Sequence, residues 1–212
     1  MSTSSTHGQF TPEPLNHFKE IPWCAKLLSD KRIVHIAIPD RRPKLDDEYT
    51  LVKETLNGEN TVRACITYFR VPPRKELRPG EDQKNPFVEM NTLLDVGGGV
   101  NGYAKTCHGG FITTIFDELM GTAAWQQSGE EEDNGAYTIS MNLKFKKPLF
   151  TPAVVRCTGG VVKKEGRKIT VEAVLVGEDG AVHAEAQSVF LEMKRNIGKA
   201  QEVKYGTVGS KL

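Results

Sequence analysis

Residues 109–127 read GGFITTIFDELMGTAAWQQ, the most regular pattern in the chain. It contains no proline, and its apolar residues recur every three or four positions, which predicts one long helix. The apolar positions are Ile112, Ile115, Phe116, Leu119 and Ala123. The opposite face carries the small residues Gly110, Thr113, Thr114, Gly121 and Ala124. Because both faces can be closely approached, we expect the helix to be buried.

Segments rich in β-branched and aromatic residues flank this helix and predict strands. Two precede it, at residues 61–71 and 87–96, and four follow it, at 136–146, 153–163, 168–176 and 181–193. Compact turns at residues 165–166 and 178–180 are typical of connections between antiparallel neighbours. Strands and helices do not alternate along the chain, so the order predicts an α+β fold, with a six-stranded antiparallel sheet around one long central helix.

The predicted domain spans residues 61–194, with an N-terminal extension at 1–60 and a flexible tail at 195–212. Five prolines punctuate the extension, which leaves room for one or two short helices. The tail ends in Ser210-Lys211-Leu212, a tripeptide that the peroxisomal import receptor reads as an address. We therefore expect a peroxisomal protein of lipid metabolism, with the cytoplasm as the alternative.

Composition narrows the possible partners. The chain has 212 residues, 38% of them hydrophobic, which predicts a soluble globular protein. Its 28 basic and 27 acidic residues give a net charge of +1, so no overall field attracts nucleic acid. No apolar run is long enough to span a membrane. The four cysteines are far apart and form no CxxC pair, so we expect reduced thiols and no metal site.

The candidate catalytic residues begin at the start of the predicted helix. His108-Gly109-Gly110 is followed there by Asp117, nine residues after the histidine. The first turn of a helix leaves backbone N–H groups unpaired at the positive end of the helix dipole. Glycine lets a substrate carbonyl approach those donors, as an oxyanion site for a thioester requires. A carboxylate in a mostly buried helix costs free energy unless it is solvated or has a partner. This favours an active-site role for Asp117 over a structural one.

The spacing between Gly109 and Asp117 predicts a shared site. Eight residues at about 1.5 Å each separate them by roughly 12 Å along the helix axis, too far to act on one carbonyl. A working site would combine the helix start of one subunit with Asp117 of a second, antiparallel helix. We therefore expect a homodimer or a dimer of dimers.

Residues 87–194 resemble the HGG-motif hotdog acyl-CoA thioesterases, the phenylacetyl-CoA and long-chain acyl-CoA thioesterase group. The likeness rests on His108-Gly109-Gly110 with Asp117, and on residues 137–148, YTISMNLKFKKP, which are similar to the family's third strand. The resemblance implies a sheet wrapped around one helix, and hydrolysis of an acyl-CoA to the free acid and coenzyme A. It also implies catalytic roles. Gly109 would polarise the carbonyl, Asp117 would activate water or attack directly, Thr138 would orient either group, and His108 would shape the turn.

Substrate-binding candidates surround this motif. The family often has an amide residue six positions before the histidine; here Gly102 stands there with Asn101 beside it, so Asn101 is a candidate after a one-residue slip. Basic residues on the late strands are suited to the phosphates of coenzyme A. The substrate-binding candidates are Gly110, Asn101, Lys146, Arg167 and Lys168. No cofactor is expected, since coenzyme A enters as part of the substrate.

Other functions fit the residues less well. Residues 97–102 match GxGxxG after a strand, but no βαβ unit surrounds them. Cys107 adjoins His108, yet chain neighbours on a turn are poorly placed as nucleophile and base. A hotdog enoyl-CoA hydro-lyase needs its Asp and His a few residues apart at the helix start. A non-catalytic acyl-CoA-binding hotdog protein would not need Asp117 and Thr138.

Overall fold

A computed structural model describes residues 7–45, 48–72, 76–128 and 135–193. The C-terminal tripeptide lies outside these ranges, so the peroxisomal location stays a prediction. No helix within the described ranges is long and apolar enough to cross a membrane.

An antiparallel sheet in the order β1-β2-β3-β7-β8-β9-β6 makes up most of the structure. A separate two-stranded hairpin, β4 (Asn101–Tyr103) and β5 (Thr106–Cys107), leads into the central helix. The α+β class and the antiparallel sheet against one long helix are confirmed. The strands of the large sheet are β1 (Ile33–Ala37), β2 (Val62–Arg70), β3 (Glu89–Val96), β6 (Ala136–Phe145), β7 (Ala153–Glu165), β8 (Lys168–Val176) and β9 (Val182–Glu192).

The predicted count of six strands is wrong, because the large sheet has seven strands within the described residues. The additional strand, β1, comes from the N-terminal extension and pairs antiparallel with β2, with Ala37 opposite Thr67. Only five residues long, it is interrupted by a register shift between Ile33 and His35. Its hydrogen-bonding partner is some thirty residues away in sequence, so its position depends on a long-range pairing rather than on a local pattern.

The central helix, α3 (Gly109–Trp125), ends two residues before the predicted boundary. It packs against β3 and β6 to β9, and its apolar face is buried in the main core. Phe116 and Met120 of α3 are fully buried, and Val155 and Phe190 of the facing sheet are at most 1% exposed. The sheet thus wraps around α3 and holds its N-terminus and its Asp117 face in fixed positions.

The N-terminal extension packs on the other face of β2 and β3. Its two short helices, α1 (Pro14–Glu20) and α2 (Pro22–Leu28), each begin with a proline, which is favoured at that position. Phe18 and Cys24 are buried against alternate residues of β2, including Ile66 and Tyr68. The extension therefore covers the outer face of β2 and β3.

Candidate active site

His108 caps the start of α3. Its backbone is extended, with φ −69° and ψ 135°, and its Nδ1 accepts a hydrogen bond from the Gly110 N–H at 2.9 Å. Its own N–H donates to the Val100 carbonyl at 2.8 Å, which ties the helix start to the preceding turn. Because Nδ1 is an acceptor, it carries no proton in this geometry. These contacts fit the turn-shaping role proposed for His108.

The Gly109 N–H is the donor that this cap leaves free. No hydrogen bond from it is found to any residue within the described ranges. A Cβ at this position would come within 3.0 Å of Cζ of the Phe145 side chain, which is 56% exposed. Gly109 thus offers an unpaired N–H at the positive end of α3, as an oxyanion requires.

If the Gly109 N–H stabilises a developing oxyanion, replacing Gly109 with proline should lower kcat about a hundredfold, because it removes this one donor. Proline is well tolerated at the first position of a helix, and the extended backbone of His108 suits a residue before proline. Gly109→Ala is the matched control, since it adds the same Cβ but keeps the N–H. Both variants are compared by steady-state kinetics. An equal loss of kcat in the two would mean that the added Cβ, and not the loss of the N–H donor, causes the effect.

Asp117 and Thr138 are in direct contact. The Thr138 hydroxyl donates to Asp117 Oδ1 at 2.7 Å, which links the middle of α3 to the edge strand β6. Opposite Thr138 on β9 is Phe190, whose ring lies near Gly121 of α3, so Thr138 faces the helix. The half-buried Asp117 lies beside a small-residue surface that leaves room for a ligand.

Thr138→Val should reduce kcat about tenfold, because the hydroxyl holds one oxygen of Asp117 in place and a hydrogen bond to a charged group contributes about 1.5–3 kcal/mol. Thr138→Ser keeps the hydroxyl and should retain most of the activity. A valine variant that keeps wild-type turnover beside a slow serine variant would show that β-branching, rather than the hydrogen bond, is required at this position.

Glu118 differs from its neighbour Asp117 in its surroundings. Although solvent accessible, its side chain lines a cavity whose walls partly desolvate it. This burial raises the pKa of Glu118, the adjacent Asp117 carboxylate raises it further, and Arg41 opposes both effects. The two carboxylates therefore point into different environments, and only Asp117 has the Thr138 partner.

Cys107 shows no sign of nucleophilic activation. Its Sγ contacts the carbonyl oxygen of His108 at 3.8 Å, and burial raises the pKa of the thiol to about 11. A thiol with a raised pKa holds little thiolate near neutral pH and is a poor nucleophile.

The structure separates the candidate substrate-binding residues. Asn101 accepts a hydrogen bond from the Thr151 hydroxyl at 2.5 Å, and the Gly110 N–H is used by His108. Lys146, just after β6, forms an ion pair with Glu185 at 2.7 Å. Arg167 donates to the Glu192 carbonyl at 2.7 Å and Lys168 begins β8, both far from the start of α3 within one protomer.

The sequence did not predict two features near α3, the buried Arg41 side chain and the cavity that Glu118 lines. Both depend on how the N-terminal extension folds back on the sheet, and no motif in the extension indicated this. Among the described residues, no three His, Cys, Asp or Glu side chains are grouped so as to hold a metal ion.

The segment around α3 is similar to known proteins. Residues 104–184 match the Thioesterase superfamily model. "Verlamelin biosynthesis protein B" from a Lecanicillium species is 27% identical over 166 residues, which are 65% of this chain and 70% of that protein. The acyl-coenzyme A thioesterase THEM4 of Mus musculus is 30% identical over 109 residues, covering 50% of this chain and 45% of that enzyme.

Part of the chain is also similar to solved structures. Protein BH2602 from Bacillus halodurans, crystallised with CoA, is 24% identical, with a TM-score of 0.45 over 49% of this chain and 66% of that one. This chain spans less than half the length of the mouse enzyme. The segment that contains His108, Gly109, Asp117 and Thr138 thus matches the Thioesterase superfamily model, and acyl-coenzyme A thioesterases are among the proteins to which this chain is similar.

Proposed function

We propose that the protein hydrolyses an acyl-CoA thioester to the free acid and coenzyme A. The observation that carries this proposal is the Asp117–Thr138 pair on the accessible face of α3, on a chain whose Gly109 N–H is unpaired at the start of the same helix. The superfamily match over residues 104–184 and a relative named as an acyl-coenzyme A thioesterase support it.

The residues suggest a direct chemical sequence. Asp117 accepts a proton from a water molecule, whose oxygen attacks the thioester carbonyl carbon. The Gly109 N–H stabilises the negative charge that develops on the carbonyl oxygen. When the tetrahedral intermediate collapses, the C–S bond breaks, the coenzyme A sulfur takes back the proton that Asp117 removed from water, and the acid remains. Direct attack by Asp117 on the carbonyl carbon would instead form a mixed anhydride as the C–S bond breaks and the thiolate leaves, and water would then cleave the anhydride and restore the Asp117 carboxylate.

A homodimer formed through β6 would assemble this site. In the large sheet β6 is an edge strand of ten residues, with the exposed apolar side chains Tyr137, Ile139 and Phe145. An exposed apolar edge of this kind is a template for pairing with another strand. Two copies of β6 joined antiparallel about a two-fold axis would form a self-complementary interface.

The positions of two β6 residues set the register of this dimer. Thr138 contacts Asp117 near one end of β6, while Phe145 approaches Gly109 at the other, seven residues or about 24 Å away. Antiparallel pairing that sets Thr138 opposite the partner's Phe145 would bring Asp117 of one protomer beside the partner's Gly109. The two halves of the site, which one protomer keeps apart, would then meet.

The experiment that tests the proposal measures release of the coenzyme A thiol from short, medium, long and aromatic acyl-CoAs. We expect turnover of at least one class that exceeds the background rate by several orders of magnitude. Failure of the purified dimer to release thiol from any ester would overturn the proposal. Tight binding of the same esters without release would then indicate an acyl-CoA-binding protein, and addition of water to an enoyl-CoA would indicate a hydro-lyase.

A further inference from the structure

A largely apolar cavity of about 460 Å³ lies between α3, the inner face of β2 and β3, and residues 37–41 and 49–56 of the N-terminal extension. Its volume is in the range of roughly 300–1,000 Å³ that is typical of small-molecule sites. The sheet and α3 contribute Phe69, Leu94, Phe111 and Ile115, and the extension closes the cavity with residues that include Val52 and Leu56.

Buried hydrogen bonds hold the extension in place as a wall of this cavity. The Arg41 side chain is 5% exposed, and its guanidinium donates to the carbonyl oxygens of Val52, Leu56 and Val62 at 2.5–3.1 Å. Gln9 is also buried, and its side chain bonds to both the N–H and the carbonyl of Cys65 on β2. Because buried polar groups that lose their partners are costly, these bonds fix residues 37–41 and 49–56 against the sheet.

The same contacts indicate what kind of ligand the cavity suits. The Arg41 guanidinium donates to three backbone carbonyls, so its hydrogen-bonding groups stabilise the cavity wall. It is therefore a poor anchor for an anionic ligand. Thr67 and Thr92, the hydroxyl residues of the sheet wall, are hydrogen-bonded to each other at 2.9 Å. Because Arg41, Thr67 and Thr92 already have partners and most of the remaining wall is apolar, the lining favours an apolar ligand.

The cavity borders the part of α3 that carries Asp117. Thr114 and Glu118 line it and lie three residues before and one residue after Asp117, within about 5 Å along the helix axis. The small-residue face of α3 that holds Asp117 therefore adjoins the cavity face of the same helix.

We propose that this cavity binds the acyl chain of the thioester, in the protomer that supplies Asp117, and that residues 37–41 and 49–56 limit the length of chain accepted. The inference rests on the proposed hydrolysis of an acyl-CoA and adds its specificity element. The carbonyl sits between Asp117 and the partner's Gly109, and the chain runs past Thr114 towards Val52.

Filling the end of the cavity tests this assignment. Val52→Trp replaces a half-buried wall residue with a larger one and should lower kcat/KM for long-chain acyl-CoAs at least tenfold, while short-chain esters change less than about twofold. Val34→Trp adds the same bulk at an exposed position on β1 and should leave the profile unchanged. Val52→Ala, which is the safer variant for folding, should shift the preference towards longer chains.

Calorimetric titration with free fatty acids of increasing length separates this inference from the proposed reaction. If esters are hydrolysed but the chain-length profile is the same in wild type and both Val52 variants, the acyl pocket is wrong and the hydrolase stands. If no ester is cleaved but fatty acids bind with a length preference that Val52→Trp shortens, the pocket stands and the hydrolase is wrong. Absence of both effects overturns both.

Discussion

Asp117→Ala should reduce kcat for acyl-CoA hydrolysis by at least a hundredfold, a loss of about 2.7 kcal/mol of transition-state stabilisation. General-base catalysis by a positioned carboxylate contributes roughly 10²–10⁴-fold, and Thr138 holds this carboxylate at 2.7 Å. The half-buried side chain has no ion-pair partner among the described residues, so its removal should change the melting temperature little. Thiol release under saturating substrate measures the effect.

Two further variants show whether the lost function is proton transfer. Asp117→Asn keeps an oxygen that can accept the Thr138 hydrogen bond but cannot serve as the base, so its loss should approach that of the alanine variant. Glu172→Gln neutralises an exposed carboxylate on the outer sheet face and should retain wild-type turnover. If Asp117→Asn turned over at the wild-type rate, Asp117 would have a positioning role and the base would lie elsewhere.

The fold around α3 was predictable because its signals are local. Helical spacing over residues 109–127 and alternating strands on either side depend on neighbours in sequence, and α3 begins at the predicted residue. The extension carries no such signal. Its strand β1 is short and irregular. The burial of Gln9 and Arg41 could not be predicted, because it depends on hydrogen-bond partners up to fifty-six residues away in sequence.

The site was predictable in part for the same reason. The His108-Gly109-Gly110 turn and the spacing to Asp117 follow from the geometry of one helix, whereas the choice of Thr138 came from family resemblance. The roles of basic residues were harder to assign, because a lysine or arginine in sequence does not reveal its partner. Lys146 pairs with Glu185, and Arg167 bonds to a backbone carbonyl, so both are already engaged within the protomer.

Placing a charge on the β6 edge should separate the dimer and abolish hydrolysis. In the register inferred above, Ile139→Lys puts a lysine opposite the partner's Lys144 and removes an apolar side chain that is 51% exposed in the protomer. Like charges directly opposite each other destabilise an antiparallel pair. We expect a monomer by light scattering and activity at the background level.

Val34→Lys is the matched control for this variant. It replaces an apolar residue that is 62% exposed on β1, the opposite edge of the same sheet, with the same charge. The control should remain dimeric and active. An Ile139→Lys protein that stays dimeric, or a monomer that keeps wild-type turnover, would contradict the shared site.

Mixing two inactive variants tests the sharing of residues directly, without breaking the dimer. In a heterodimer of Asp117→Ala and Gly109→Pro, one of the two sites receives an intact Gly109 from the first subunit and an intact Asp117 from the second, whereas the other receives both substitutions. Random reassembly of equal amounts makes half of the dimers heterodimers, so activity should recover to about a quarter of the wild-type value. If heterodimers form and activity does not recover, Gly109 and Asp117 act within one protomer, and the antiparallel pairing of β6 does not build the site.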